Sequence, residues 1–254
     1  MEFFVDKGSV VREIWGKGDT ILFIFAGASA EFALNKAVDW LYFTGRLPSD
    51  PLGRLFSTVG YARRIVFSSK EKAHRAIDSM AVIHAGVEAS RGTTIPDWAY
   101  RDVLYMLIDY SIRSYELLER KLTFDEKREV FEVFRCVGSR MGIKDLPLTL
   151  QDWQKERTQH LNQNLEKSPL TDDLFKQYKK HLGSIRYWLL LQAQELVVPE
   201  RVKSLLGYGN MSLLKPVLGV YKIFRFLNLD WLLKSLILPK AYQSEIKALD
   251  SAPA

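Results

Sequence analysis

Residues 68–87 read Ser-Ser-Lys-Glu-Lys-Ala-His-Arg-Ala-Ile-Asp-Ser-Met-Ala-Val-Ile-His-Ala-Gly-Val, and this stretch decides the fold class. The Ser-x-x-Glu spacing from Ser68 to Glu71 is that of a capping box, in which a hydroxyl and a carboxylate satisfy the free amides that open a helix. From there Ala73, Ile77, Met80, His84 and Val87 recur at intervals of three and four. That spacing places them on one stripe and predicts that the stripe is buried. His74 falls on another part of the same helix.

Working outward, the same grammar continues in both directions. Asp19 is placed to cap a helix running through Ile21, Phe25, Ala28 and Phe32 to about Tyr42. Leu47-Pro48-Ser49-Asp50-Pro51 breaks the chain, with Asp50 as cap and Pro51 in the first turn of a helix ending near Phe67. Its apolar side carries Leu52, Phe56, Val59 and Ile65. Beyond a loop at Ser90–Thr94, Pro96-Asp97 opens a long helix to about Leu118. Thr123–Glu126 is a second capping box, for a helix to about Met141, and Thr149–Asp152 opens another to about Leu165. Thr171 is expected to cap a helix with Leu174, Tyr178, Ile185 and Trp188. Pro199, Gly207-Tyr208-Gly209 and Pro216 divide the C-terminal part into shorter helices. No run alternates as a strand would, no repeat or low-complexity segment stands out, and no linker separates two domains. The expectation is an all-α fold: one multi-helix domain over 1–254, with a buried cofactor pocket between helices and 211–240 as a C-terminal amphipathic extension.

Composition narrows the function classes. In 254 residues, 47% are hydrophobic, enough for a sizeable core. One cysteine, Cys136, excludes an internal disulfide framework and a cysteine-cage metal site, fits a reducing compartment, and is most simply a small core residue. The net charge is +6, but basic and acidic residues are interspersed along the helices. A solvated mixed-charge surface is therefore expected and no nucleic-acid partner. Met1–Asp6 lacks the basic region and cleavage site of a secretory signal, which points to the cytoplasm. The apolar stretch Ile21–Leu34 is interrupted by Gly27, Ser29 and Glu31, so a buried helix is expected there rather than a membrane span.

Phosphate-cradling loops, nucleophile elbows, His-Glu-x-x-His and the Glu-x-x-His of di-iron bundles are all absent. Of the four histidines, His84 shares its stripe with Ile77, Met80 and Val87. A buried imidazole must hydrogen-bond, ionise against a partner or ligate a metal. Periodicity alone favours the first. Asp109, in an apolar stretch, needs a partner, and Arg113 is four residues on. Trp98, Tyr105, Tyr110 and Tyr115 are core residues by default, with a pocket lining as the alternative; His160 and His181 also sit near apolar stripes.

Arg54 and Thr58, four apart, project to one face of the preceding helix. Asp50-Pro51-Leu52-Gly53-Arg54-Leu55-Phe56-Ser57-Thr58, followed by Ile83-His84-Ala85-Gly86-Val87, resembles the D-P-x-x-R-x-x-x-T and H-x-x-V signature of the MpaB/rubber-oxygenase catalytic-domain family. Leu107–Glu116, Leu122–Lys127, Gly138–Pro147 and Leu196–Gly207 are similar to later segments of that family, in order, so the likeness spans roughly 15–210. The resemblance implies a helical haem b protein that uses dioxygen on an apolar, unsaturated substrate, isoprenoids being the class its relatives cleave. It implies His84 as proximal ligand of the haem iron, Arg54 as a positive charge near the haem or a developing anionic oxygen, and Thr58 as a hydroxyl donor. A propionate or surface ion pair is the competing role for Arg54, and a bond back to its own helix for Thr58.

The chain also departs from the pattern. Where many relatives carry His-Pro it reads Ala37-Val38-Asp39-Trp40, and Leu104 stands where many have a second histidine. Ala89 replaces a glycine, and a basic distal residue would fall on Ser57. A non-catalytic binding protein that kept the fold, and a haem protein for sensing or storage, are therefore the alternatives. At the C-terminus, Val217, Leu218, Tyr221, Phe224 and Leu227 form an apolar face beside Lys215, Lys222 and Arg225. Packing on the domain is the simpler use of such a face; peripheral membrane contact is the other.

Overall fold

The computed structural model describes residues 2–45, 49–209, 212, 218, 219 and 221. The breaking residues 47–48, the side chains of Leu52 and Leu55, and most of 211–240 lie outside the described part. Among the described residues the architecture is all-α, with ten helices and no strand: α1 Val10–Trp15, α2 Gly18–Leu34, α3 Val38–Phe43, α4 Pro51–Phe67, α5 Lys70–Arg91, α6 Asp97–Leu118, α7 Phe124–Arg140, α8 Leu150–Gln163, α9 Pro169–Val197 and α10 Glu200–Leu206.

Helix α2 is the centre of the core. Ile21, Ile24, Phe25, Ala26, Ala30, Ala33 and Leu34 are all buried, and α6 and α9 make the most extensive packing against it. A helix apolar round its circumference has to be enclosed. Each large aliphatic so enclosed contributes about 1.5–3 kcal/mol. Close approach is allowed by Gly27, where a Cβ would lie 2.3 Å from the Tyr110 ring. Trp15, Ile108, Tyr110, Phe131 and Trp153 extend the same core into α1, α6, α7 and α8.

The polar residues of α2 are also enclosed, and Ser29 and Glu31 are bonded within the core. Ser29 donates to the Ala26 carbonyl at 2.9 Å and accepts from Gln194 at 3.0 Å. Glu31 receives both terminal nitrogens of Arg157, at 2.5 and 2.6 Å, and the Tyr110 hydroxyl at 2.8 Å. Arg157 also donates to Asp109, which pairs with Arg113 at 2.7 Å as its spacing implied. Burial works against the Arg157 charge, but Glu31 and Asp109 more than offset it and hold its pKa well above the ordinary value.

Several boundaries follow the expected caps: Asp50 accepts from the Gly53 amide at 2.9 Å, Thr123 and Glu126 form the full capping box, and Thr149 accepts from Asp152. Others are corrected. The helix expected from Asp19 to about Tyr42 stops at Leu34. Asn35 turns its amide oxygen onto the Ala37 amide at 2.8 Å, and Asn164 accepts from Lys36, so local side-chain and long-range bonds replace the helical ladder. Asp19 lies inside α2 and bonds the Thr20 amide; Lys17 takes the cap position. Ser69, not Ser68, caps α5, because Ser68 is extended and its carbonyl accepts from Phe4. Ser168 caps α9, and Thr171 sits at the third helical position with its hydroxyl on the Ala33 carbonyl.

Periodicity does not carry through α9, and the core assignment of Cys136 fails. Helix α9 breaks at Gly183 (φ 74°, ψ 167°), which changes the direction of its second half and leaves Ile185 78% and Trp188 44% exposed. Cys136 is exposed, on the outer side of α7.

Candidate functional site

Helices α4 and α5 form a hairpin about the Ser68-Ser69 turn and pack against one another. At 1.5 Å per residue, Arg54 on one arm and His84 on the other each lie about 20 Å along their helices from that turn. Arg54 donates through Nη1 to the Thr58 hydroxyl at 2.9 Å, and that hydroxyl donates to the Arg54 carbonyl at 3.2 Å. The two residues expected to share a face are thus joined. Thr58 makes the bond to its own helix. Both are half-buried, as is His84.

The stripe on α5 is buried only in its first half. Ala73, Ala76 and Ile77 pack with Ile65 of α4 and Val137 of α7, whereas Met80, His84 and Val87 are half-exposed. The fully buried stripe expected from periodicity is corrected: the neighbouring helices enclose its start and leave its end half-open. Next to it Val82 is 71% exposed, Ile83 also faces solvent, and Ala81 and Ala85 are small.

His84 itself is ordered. Its Nδ1 lies 2.7 Å from the Met80 carbonyl, an acceptor only, so Nδ1 carries a proton, and in the neutral ring the lone pair is on Nε2. The ring meets Tyr100 of α6 edge-on, with centroids 5.4 Å apart and planes at 63°. The Tyr100 hydroxyl donates to Glu88 at 3.2 Å, and the same carboxylate oxygen accepts from the Ile95 amide at 2.8 Å. Burial first, then the Glu88 charge, raises the Tyr100 phenol above its usual range. Spacing alone does not single out Tyr100. Glu88, one turn beyond His84, was open to discovery by that route; Tyr100 depends on the path of the chain after the Gly92 cap (φ 71°), which brings the first turn of α6 against His84 and Glu88.

The remaining candidates sit elsewhere. His160 bonds Asp102 through Nδ1, and Asp102 also accepts from Asn35 at 2.8 Å and Asn164 at 3.1 Å, clamping the end of α2 to α6 and α8. His181 is half-buried on α9. Tyr105, Tyr110 and Tyr115 are buried and bonded to Glu156, Glu31 and Glu13. Leu104 is 4% exposed and fills the space against Gly138, so the core occupies the position of the second histidine; Val38 is likewise buried. Ser57 and Ala89 face solvent. A surface depression of about 250 Å3, lined by Arg64, Ser68, Lys72, Arg75 and Ser79, lies by the hairpin turn rather than at His84. Among the described residues no group of three or more His, Cys, Asp or Glu side chains is placed to hold a bare metal ion, and no helix is long and apolar enough to cross a membrane.

Residues 15–227 match the family described as ER-bound oxygenase mpaB/B'/Rubber oxygenase, catalytic domain. The chain belongs to this family. The match reaches past the 15–210 span read from motifs and takes in every segment on which the resemblance rested. No curated protein and no solved structure matches the chain. In this mpaB/rubber-oxygenase fold the Arg-x-x-x-Thr motif opens α4, the His-x-x-Val motif lies in the last turns of α5, and the later segments fall in α6, at the start and end of α7, and across α10.

Proposed function

We propose that this oxygenase-family domain is haem-dependent, that His84 Nε2 ligates the iron of haem b, and that the substrate is an apolar, unsaturated molecule attacked with dioxygen. The observation that carries the reading is the state of His84. The Nδ1 proton is directed at the Met80 carbonyl, the arrangement that fixes the tautomer of metal-bound imidazoles, which leaves Nε2 of the neutral ring as the donor atom, at the half-open end of its stripe. A lone imidazole suits haem better than a bare ion, because the porphyrin fills the equatorial positions and needs only an axial donor from the protein. Haem, when bound, supplies the one-electron and dioxygen chemistry.

The chain's own residues bind, orient and exclude water. Arg54 supplies a fixed positive charge suited to a propionate or to developing negative charge, with Thr58 holding its guanidinium. Met80 and Val87, which share the face of His84 on α5, provide apolar surface for a hydrocarbon substrate. With Leu104 in the core, the reading is of ligation through His84 alone. We keep the chain as one domain, with 211–240 as its C-terminal extension.

The test is the absorption spectrum of the purified full chain, before and after haemin is added. A Soret band that is lost in His84→Ala supports ligation, and oxygen uptake with an unsaturated lipid supports turnover. Protein that stays colourless with haemin overturns the reading in favour of a binding protein that kept the fold. A haem spectrum without oxygen uptake favours sensing or storage.

A further inference from the structure

We propose that Tyr100, held by Glu88, is the positioning residue that fixes the plane of the His84 ring. The inference rests on the reading of His84 as an iron ligand. The bond from Nδ1 to Met80 sets the tautomer and restrains the ring at one edge from its own helix, and the ring plane is held the more firmly where a second group from another helix packs against it. That group is Tyr100, whose ring meets the imidazole edge-on at 5.4 Å. Tyr100 is in turn anchored at its far end. Its hydroxyl reaches Glu88 at 3.2 Å, and Glu88 is pinned by the Ile95 amide at 2.8 Å. Ile95 lies in the turn beyond the left-handed Gly92 cap. Helix α5, the turn and the start of α6 thus close on one carboxylate oxygen, and the rigid end of that loop bears on His84. Groups of this kind around a ligating histidine set ring orientation and ligand basicity.

The experiment uses the full chain with and without haemin. In the haem-free protein, nitrogen-15 and proton NMR of the His84 side chain reads the tautomer and the ring-current shift from Tyr100. In the haemin-loaded, reduced protein, resonance Raman reads the iron–histidine stretch. Tyr100→Leu is expected to abolish the ring-current shift, broaden and move the iron–histidine band, and weaken haemin binding roughly tenfold. Tyr100→Phe keeps the ring but loses its anchor, and should give an intermediate band. Glu88→Gln, which can still accept both bonds, should restore the native band that Glu88→Ala disturbs. If Tyr100→Leu does not fold, the Phe, Gln and Ala variants decide. Native NMR shifts and an unchanged Raman band across the folded variants would overturn the proposal. Wild-type protein that takes up no haemin, with NMR shifts that still depend on Tyr100, would sink the haem reading and leave the orientation of the ring standing.

Discussion

An Arg157→Met variant would remove the cation that Glu31 and Asp109 share in the core. The native guanidinium donates to Glu31 through both terminal nitrogens and to Asp109 at 3.0 and 3.1 Å. All three residues are buried, on α2, α6 and α8. Methionine fills most of the volume, so little of the effect comes from a cavity. The cost lies in leaving two carboxylates desolvated, and breaking a buried pair from one side typically costs about 3–5 kcal/mol. Glu31 keeps the Tyr110 hydroxyl and Asp109 keeps Arg113, so the lower end, about 3 kcal/mol, is expected. A domain of ordinary stability has only about 5–15 kcal/mol in all. Urea unfolding followed by circular dichroism should show that loss at unchanged slope, with a melting temperature lower by roughly 6–12 °C. Adding Glu31→Gln to the variant should recover part of the loss, because the stranded charge is removed. A single-variant loss under about 1 kcal/mol, or a double variant worse than the sum of its singles, would refute the reasoning.

Gly27→Ala would ordinarily favour a helix by about 1 kcal/mol, but here the new methyl would lie 2.3 Å from the Tyr110 ring. A net loss of about 1–2 kcal/mol is expected on unfolding in urea, and a stabilised variant would contradict the packing described. Gly183→Ala meets no atom within 4 Å, yet φ 74° with ψ 167° is a region almost reserved for glycine. It should cost about 1–3 kcal/mol, and a thermal melt identical to wild type would show that the kink is not needed. Burial first of all raises the phenols of Tyr105, Tyr110 and Tyr115, each also bonded to a carboxylate. Their neutral forms are favoured in the fold, so this contribution is complete below about pH 10, the unfolded value, and is lost as pH rises beyond it. Tyrosinate absorbance should therefore appear together with loss of helix above that pH; tyrosinate formed in an intact fold would argue against it.

What the sequence could show depended on whether the cause was local. The Thr123–Glu126 box, the Asp50 cap and the Asp109–Arg113 pair are settled within one turn of helix, and they stand as read. Lys36, Ser68 and Thr171 were decided by bonds to Asn164, Phe4 and Ala33, far away in the chain, and spacing could not foresee them. Burial fails by the same logic. One periodicity through Leu174, Tyr178, Ile185 and Trp188 requires a straight helix, and Gly183 in an unusual conformation breaks it, so the first two are buried and the last two exposed. Cys136 was assigned to the core from residue type alone, with no pattern behind it.

The site divides along the same line. A histidine on a helix can bond the carbonyl four residues back, so the protonation pattern of His84 was in principle legible from its own helix. The orientation of its ring was not, because that depends on where α6 returns. Periodicity also predicted too much cover for the stripe. Its first turns meet Ile65 and Val137, while Met80, His84 and Val87 are not closed over to the same degree. A stripe whose apolar members are packed for only half its length leaves surface whose burial would still release free energy, about 25 cal/mol for each Å2. The open half is also the half that carries His84, so a ligand that covered it would bury apolar surface and meet an imidazole in the same step.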